Sequence, residues 1–420
     1  MKVLLVNPAT GHAKLDKPGK TYCTLPNGIL FIAAVLEKNG YQIMVYDNNI
    51  DPRQPADFIG FKPDVIGFAI LTGPDINGAI EQSIAFKKLL PEVKIVWGNV
   101  HASILPEQVL EETFVDYVVI GAGEYTMLEL VGYLEKKEGR LDAIKGIAYR
   151  ENGRVKINES RPFIKDLSEL PDPAWHLVDI KRYSAISLNT SRGCPFRCTF
   201  CYNLPFHKGY TAAMPAERIV SQIKHLKKKY NVRFIRFFED NFTFNRKRLH
   251  KFCELMIDSK LNIKWDTEAR ADLSREEVVL MARAGCKSVG LGVETGSQRM
   301  LEFLCKGVDL EKMEKTFWEL VRNKITPRLY LMEKIPTETV DDFNKTQELI
   351  KRLDRPPYIY MSFVPYPGTP LLDYCVERHL IKPPEKTEQW GDFTIQSAIN
   401  ANLSQVPDEL INGALADFRK

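Results

Sequence analysis

The sequence predicts an α/β protein in two parts. An amino-terminal doubly wound, Rossmann-like parallel sheet is followed by a partial (β/α)6 TIM barrel. Three observations predict this. Over the first 140 residues, short and continuously apolar runs alternate with helix-patterned segments, the texture of strands buried on both faces. A stretch with Pro171 and Pro173 then interrupts the alternation, because proline cannot sit in a helix interior. Beyond it, six further β/α repeats surround a loop with three closely spaced cysteines, Cys194, Cys198 and Cys201. The expected boundaries are 1–140 for the first domain, 141–182 for a hairpin and linker, 183–372 for the barrel and 373–420 for a short helical C-terminal region.

Taken in order, the first domain places strands at 3–6, 42–46, 65–70, 94–97 and 117–120, with helices at 28–37 and 76–90. Ligands of doubly wound sheets sit beyond the carboxyl ends of the strands. Those ends carry Asn7 and Thr10, then Thr72, then Gly98 and His101, then Gly121, Gly123 and Glu124. Leu25 and Gly28 open the first helix. Glycine at such ends lets backbone approach a ligand closely. No G-x-G-x-x-G follows the first strand, which disfavours a dinucleotide. His101 reads as a loop cap or as a ligand contact. Asn152-Gly153 marks a tight hairpin turn within 147–157.

In the barrel, helices are expected at 214–230, 246–259, 274–284, 312–323 and 340–353. Ser274 and Glu277 have the spacing of a capping box. Chemistry in barrels sits at the carboxyl ends of the strands. Charged groups recur there: Glu239 and Asp240, Glu268 and Arg270, and Glu294.

The cysteine loop has the pattern C-x3-C-x2-C, with Phe200 and Tyr202 flanking its last cysteine. Thiolates are soft ligands suited to zinc or iron–sulfur clusters. A 4Fe-4S cluster held by three cysteines leaves one iron open. A closed zinc site needs a fourth ligand, and His207 is the candidate. The aromatics suit stacking on a planar ligand better than a zinc knuckle. A zinc-stabilised binding module is the alternative of another class.

Composition narrows the field. The 420 residues are 44% hydrophobic with a net charge of +4, so no strong affinity for nucleic acid or a membrane surface is expected. The lysines between 224 and 229 read as a solvated helix face. No apolar run approaches the ~20 residues that span a bilayer, and the opening run ends at Asn7-Pro8. A cytoplasmic protein is expected. The remaining cysteines are scattered and read as small buried apolar residues.

The cysteine loop resembles the signature of the radical S-adenosylmethionine (SAM) superfamily. The first domain looks like the cobalamin-binding domain of one large subgroup, through Val6-Asn7-Pro8, Leu25 to Gly28, Gly98 to Ala102 and Asp116 to Glu124. The resemblance implies three cofactors: a 4Fe-4S cluster on the three cysteines, SAM, and cobalamin. It implies that SAM binds the open iron and is cleaved by one electron to a 5′-deoxyadenosyl radical. Flavodoxin or ferredoxin would be the reductant. By position, the SAM contacts would be Phe200, Tyr202, Glu239, Asp240, Glu268, Arg270 and Glu294, with Glu239 and Asp240 on the ammonium, Glu268 on a ribose hydroxyl and Arg270 on the carboxylate. The cobalamin contacts would be Asn7, Thr10, Leu25, Gly28, Thr72, Gly98, His101, Gly121, Gly123 and Glu124. The D-x-H-x-x-G motif of other cobalamin proteins is absent. The implied reaction is methyl transfer to an unactivated carbon, with oxidative cyclisation or ring rearrangement as alternatives. One departure stands out. The family's glycine-rich G-x-P-G-E-T after the fifth strand is replaced by Glu333-Lys-Ile-Pro-Thr-Glu-Thr339, where Glu333 and Lys334 stand in place of small residues.

Overall fold

The computed structural model describes residues 1–9, 23–394 and 401–418. They form two compact units: Met1–Ile186 with Pro383–Phe393, and Ser187–Lys382 with Thr394–Lys420.

The first unit contains β1 (Lys2–Asn7), α1 (Asn27–Lys38), β2 (Gln42–Asp47), β3 (Val65–Ala69), α2 (Asp75–Leu89), β4 (Lys94–Gly98), α3 (Asn99–Ile104), α4 (Pro106–Val109), β5 (Tyr117–Val119), α5 (Gly123–Lys136), β6 (Ile147–Glu151) and β7 (Arg154–Ile157). Its sheet has the order β2-β1-β3-β4-β5-β6-β7. β1 to β5 are parallel. Val3, Leu4, Val6, Val65 and Ile66 are fully buried, as strands covered on both faces require. Strand order reverses between β1 and β3, which opens a crevice at their carboxyl ends.

Two placements differ from the sequence-based boundaries. The hairpin β6–β7 extends the first sheet, with β6 antiparallel to β5. A three-residue β5 would otherwise present an unpaired edge. Residues 383–393, expected in the C-terminal region, return to the first unit. There Trp390 donates from Nε1 to Gln108 Oε1 at 2.8 Å, and Gly391 passes so close to Asn77 that a Cβ would sit 2.3 Å from its Oδ1.

The second unit continues with β8 (Ser187–Leu188), β9 (Ser191–Arg192), α6 (Asn203–His207), β10 (Ala212–Ala213), α7 (Ala216–Tyr230), β11 (Phe234–Phe237), α8 (Arg246–Ser259), β12 (Lys264–Arg270), α9 (Arg275–Arg283), β13 (Cys286–Glu294), α10 (Gln298–Phe303), α11 (Leu310–Arg322), β14 (Thr326–Glu333), α12 (Val340–Arg352), β15 (Tyr358–Ser362), α13 (Pro370–Glu377) and α14 (Asp408–Phe418). The six-stranded sheet β15-β14-β13-β12-β11-β8 is parallel throughout and does not close on itself among the described residues. The capping box read from Ser274 and Glu277 is formed at the start of α9.

Period-two alternation divides β12 sharply. Trp265 turns outward into an aromatic core with Phe237, Phe242 and Phe252. Asp266, Glu268 and Arg270 turn inward. The inward layer is polar, unlike the branched aliphatic filling of a closed barrel. Arg236 and Arg328 both pair with Asp266, and Tyr330 donates to Glu268 Oε1 at 2.9 Å.

Candidate functional site

The cysteine loop spans the turn between β9 and α6, and two adjacent acids at the end of β11 hold it. Asp240 accepts from the Gly193 amide at 2.9 Å, the Tyr202 hydroxyl at 2.5 Å and Asn203 Nδ2 at 2.8 Å. Glu239 accepts from the Thr190 amide and hydroxyl and from the Ser191 hydroxyl, and lies 3.6 Å from Arg248. Gly193 has a φ of +72°, and a Cβ there would stand 2.0 Å from the Tyr210 carbonyl oxygen. That turn therefore requires glycine. Thr199 ties the far side of the loop to the Leu304 carbonyl at 3.0 Å.

Burial raises the pKa of all three thiols, that of Cys201 to about 12. Thiolates at this loop therefore need positive charge. Arg270 acts on Cys194 and Cys198, and Lys306 on Cys198. Asn203 Nδ2 lies 3.8 Å from Cys201 Sγ. This donor set suits an iron–sulfur cluster, whose cysteines ligate separate irons. The zinc alternative lacks its fourth ligand. Its candidate, His207, turns Nε2 toward Asp240 at 3.7 Å instead.

Strand ends β12 and β13 supply the rest. The Arg270 guanidinium stands over the Phe196 ring, its Cζ 3.6 Å from the ring centroid. It donates to the Lys306 carbonyl and, at 2.7 Å, to the Gly307 carbonyl, while its Nε makes no hydrogen bond. Glu294 follows a bulge in β13, has a φ of +68°, and pairs with Lys306 at 2.5 Å. A Cβ on Gly292 would stand 2.8 Å from Lys306 Nζ. A Cβ on Gly290 would stand 1.7 Å from Glu268 Oε2. The glycines of β13 therefore clear space for the protein's own charged side chains. Glu268 Oε2 is buried without a hydrogen-bond partner, a free acceptor of the kind a ligand hydroxyl satisfies.

The structure thus links Cys194, Cys198, Cys201, Tyr202, Asp240, Arg270 and Glu294. Glu268 lies one layer deeper on β12. Phe200 sits against the apolar cluster of Met300, Leu304 and Met332, with Lys306 Nζ 5.9 Å from its ring. Both Glu239 oxygens are engaged by protein donors, as are both oxygens of Asp240. Sequence reasoning missed Lys306, Phe196, Tyr330 and Arg248. Each acquires its role through a partner distant in sequence.

In the first unit, Thr72 Oγ1 and His101 Nδ1 are 3.0 Å apart, joining the ends of β3 and β4. The His101 amide donates to the Ile70 carbonyl at 3.1 Å. His101 is fully buried, its Nε2 has no hydrogen-bond partner, and burial lowers its pKa to about 4. The Trp390 ring stands edge-on at 6.0 Å. Gly98 is extended and precedes Asn99 with a φ of +75°. Gly121 has a φ of +78° with open space around it, and its amide is held by Ser103 Oγ at 2.9 Å. Asn7 donates to the buried Asp47 at 3.0 Å, and Tyr183 donates to the same carboxylate. Gly28 is open, whereas a Cβ on Gly123 would stand 3.1 Å from Ile32 Cδ1. Leu25 and Glu124 are buried in the fold. Thr10 lies outside the described residues. Thr72, Gly98 and Gly121 therefore stand at the carboxyl ends of the neighbouring strands β3, β4 and β5, with open backbone at Gly121 and the orphan His101 nitrogen on the same edge, which suits a large polar cofactor. Leu25 and Glu124 support that edge from within.

Comparison with known proteins agrees with this pairing of a doubly wound domain and a cysteine-bearing barrel. Residues 188–350 match the radical SAM superfamily model, and residues 21–131 match the B12 binding domain model. The chain is 30% identical over 407 residues to the uncharacterized methyltransferase PH0819 of Pyrococcus horikoshii, spanning 94% of this chain and 86% of that one. It is 27% identical to an anaerobic magnesium-protoporphyrin IX monomethyl ester cyclase of Rubrivivax gelatinosus, over 88% and 69% of the two chains. Among solved structures, the radical SAM methyltransferase TsrM from Kitasatospora setae, with cobalamin and a [4Fe-4S] cluster bound, has the same fold. Its TM-score is 0.79 at 16% identity, covering 99% of this chain and 88% of that one. The chain belongs to the radical SAM family whose members carry a B12-binding domain. Among the described residues no helix is long and apolar enough to cross a membrane.

Proposed function

We propose that this protein is a cobalamin-dependent radical SAM methyltransferase that acts on an unactivated carbon. The observation that carries the proposal is the three-cysteine loop, clamped by Asp240 at the carboxyl ends of the barrel strands and flanked by Arg270 and Lys306. Cys194, Cys198 and Cys201 would hold a 4Fe-4S cluster. Asp240, Glu268, Arg270 and Glu294 would bind SAM, and the edge with Thr72, Gly98 and Gly121 would bind cobalamin. When bound, these groups supply a one-electron cleavage of SAM, hydrogen abstraction and a transferable methyl group.

The chain's own residues prepare that chemistry. Lys306 and Arg270 offset the negative charge of the thiolates. Glu294 fixes Lys306 and keeps the ammonium from drifting into solvent. Asp240 sets the loop's conformation through three donors at once. Glu268 offers Oε2 to a hydroxyl, its other oxygen being held by Tyr330. An electron donor such as flavodoxin or ferredoxin and a cytoplasmic location belong to this reading. A second reading, a radical reaction without methyl transfer, draws support from the cyclase among the relatives.

The test is anaerobic reconstitution with iron and sulfide, followed by SAM and dithionite. Wild type is expected to release 5′-deoxyadenosine and Cys198→Ala to release none. Equal release from both proteins overturns the proposal. Labelled methyl-SAM and mass spectrometry of the product separate the two readings.

A further inference from the structure

The chain's small net charge conceals how its cations are sorted. In a parallel β/α fold each helix returns to the amino end of the next strand. The segments before β11, β12, β13, β14 and β15 therefore come out on one face of the second unit. These strands are neighbours in the sheet, so the segments lie side by side, about 5 Å apart at the strands. The Lys264 amide donates to the Arg233 carbonyl at 3.1 Å, and Phe234 pairs in register with Lys264.

Each segment presents an exposed cation: Arg233, Lys264, Lys287, Lys324 and Arg355 in turn. Over residues 227–233, 258–264, 283–287, 322–326 and 351–357 the acids are Asp258 and Asp354, and the lysines and arginines exceed them by more than the whole chain's net +4. A cation in a helix's last turn answers the helix dipole, an effect that ends with that turn. It accounts for Lys227 to Lys229 in α7. Arg233, Lys264 and Lys287 lie past the helix ends, at the strand starts. Apolar side chains are exposed among these cations: Phe234 at 37%, and Val321, beside Arg322, at 41%. The connections are only a few residues long, so none projects to form the groove that would grip a nucleic acid strand or an extended acidic chain. A level face of cations with apolar groups between them matches a lipid surface, where basic groups reach the headgroups and apolar ones enter the acyl boundary.

We propose that the amino-terminal rim of the barrel binds an anionic lipid surface, with Arg233, Lys264, Lys287, Lys324 and Arg355 on the headgroups and Phe234 and Val321 at the acyl boundary. The cysteine loop lies at the opposite ends of the strands, so binding leaves it turned away from the lipid. Cosedimentation of the full chain with vesicles tests this. Binding is expected to vesicles of phosphatidylglycerol mixed with phosphatidylcholine, not to phosphatidylcholine alone, and should fall as salt screens the charges. Arg233→Glu/Lys264→Glu should weaken it at least about tenfold. Phe234→Ser should weaken it without changing its salt dependence. Lys312→Glu/Lys315→Glu makes the same charge change at exposed positions early in α11, and should bind as wild type does. Reversing two charges within a cationic cluster relieves repulsion, so Arg233→Glu/Lys264→Glu should melt no lower than wild type and its loss of binding is not misfolding. No binding of wild type to phosphatidylglycerol vesicles, equal loss in both double variants, or tighter binding to duplex DNA than to the vesicles overturns the proposal.

Discussion

At the scale of single residues, burial and partners decide what each group does. His101 shows this most clearly. It is enclosed, hydrogen-bonded through Nδ1 to Thr72, and held neutral with a pKa near 4. A free histidine titrates near 6.5. Between those values the unfolded chain binds the extra proton, so stability must rise with pH through that window and be lost as pH falls. The shift corresponds to about 3 kcal/mol. Asp75, raised to about 7 by burial, acts in the opposite sense but is common to any His101 variant. His101→Gln should therefore lose much less stability than wild type between pH 7 and 4.5, measured by thermal unfolding. Parallel pH profiles would contradict this. The sequence showed a histidine at a strand end. It did not show that Thr72 and Trp390 would enclose the ring, because both contacts are made by distant segments.

At the scale of elements, acids at strand ends fall into two kinds. Asp240 gathers the cysteine loop, and Glu239 anchors the strand before it. Glu239 is buried with Arg248, which also donates to the Thr190 and Phe242 carbonyls at 3.0 and 2.8 Å. Removing one partner of a buried pair strands the other charge, typically at about 3–5 kcal/mol. Arg248→Met should destabilise by about that amount in denaturant unfolding, and adding Glu239→Gln should recover part of it. A loss below about 1 kcal/mol in the single variant would contradict the pairing. Strand and helix order, the capping box at Ser274 and the polar strand ends were legible because each is a local or periodic signal. The inward-facing layer was not. Gly290 and Gly292 signal only that space is needed. That Glu268 fills it follows from β12 lying beside β13, and Lys306 reaches it from the segment after α10.

At the scale of the whole molecule, the chain is not a simple succession of domains. The first unit takes back residues 383–393, and the second takes the hydrophobic contact of Phe343 with Val406 and Ile411 from the C-terminal segment. A reading from one end to the other misses such returns, because short apolar and aromatic segments such as the one bearing Trp390 carry no label of destination. The family, the two-part fold and the three cysteines were nonetheless visible, since the C-x3-C-x2-C spacing and the alternation of apolar runs survive without any tertiary knowledge.

The central claim is that Cys194, Cys198 and Cys201 hold a cluster with one iron open to SAM. Electron paramagnetic resonance of the anaerobically reconstituted, dithionite-reduced protein tests this most directly. The account predicts a 4Fe-4S signal, backed by equal iron and sulfide content, whose g values change when SAM is added. A zinc-loaded protein without that signal, or a cluster spectrum indifferent to SAM, would contradict it.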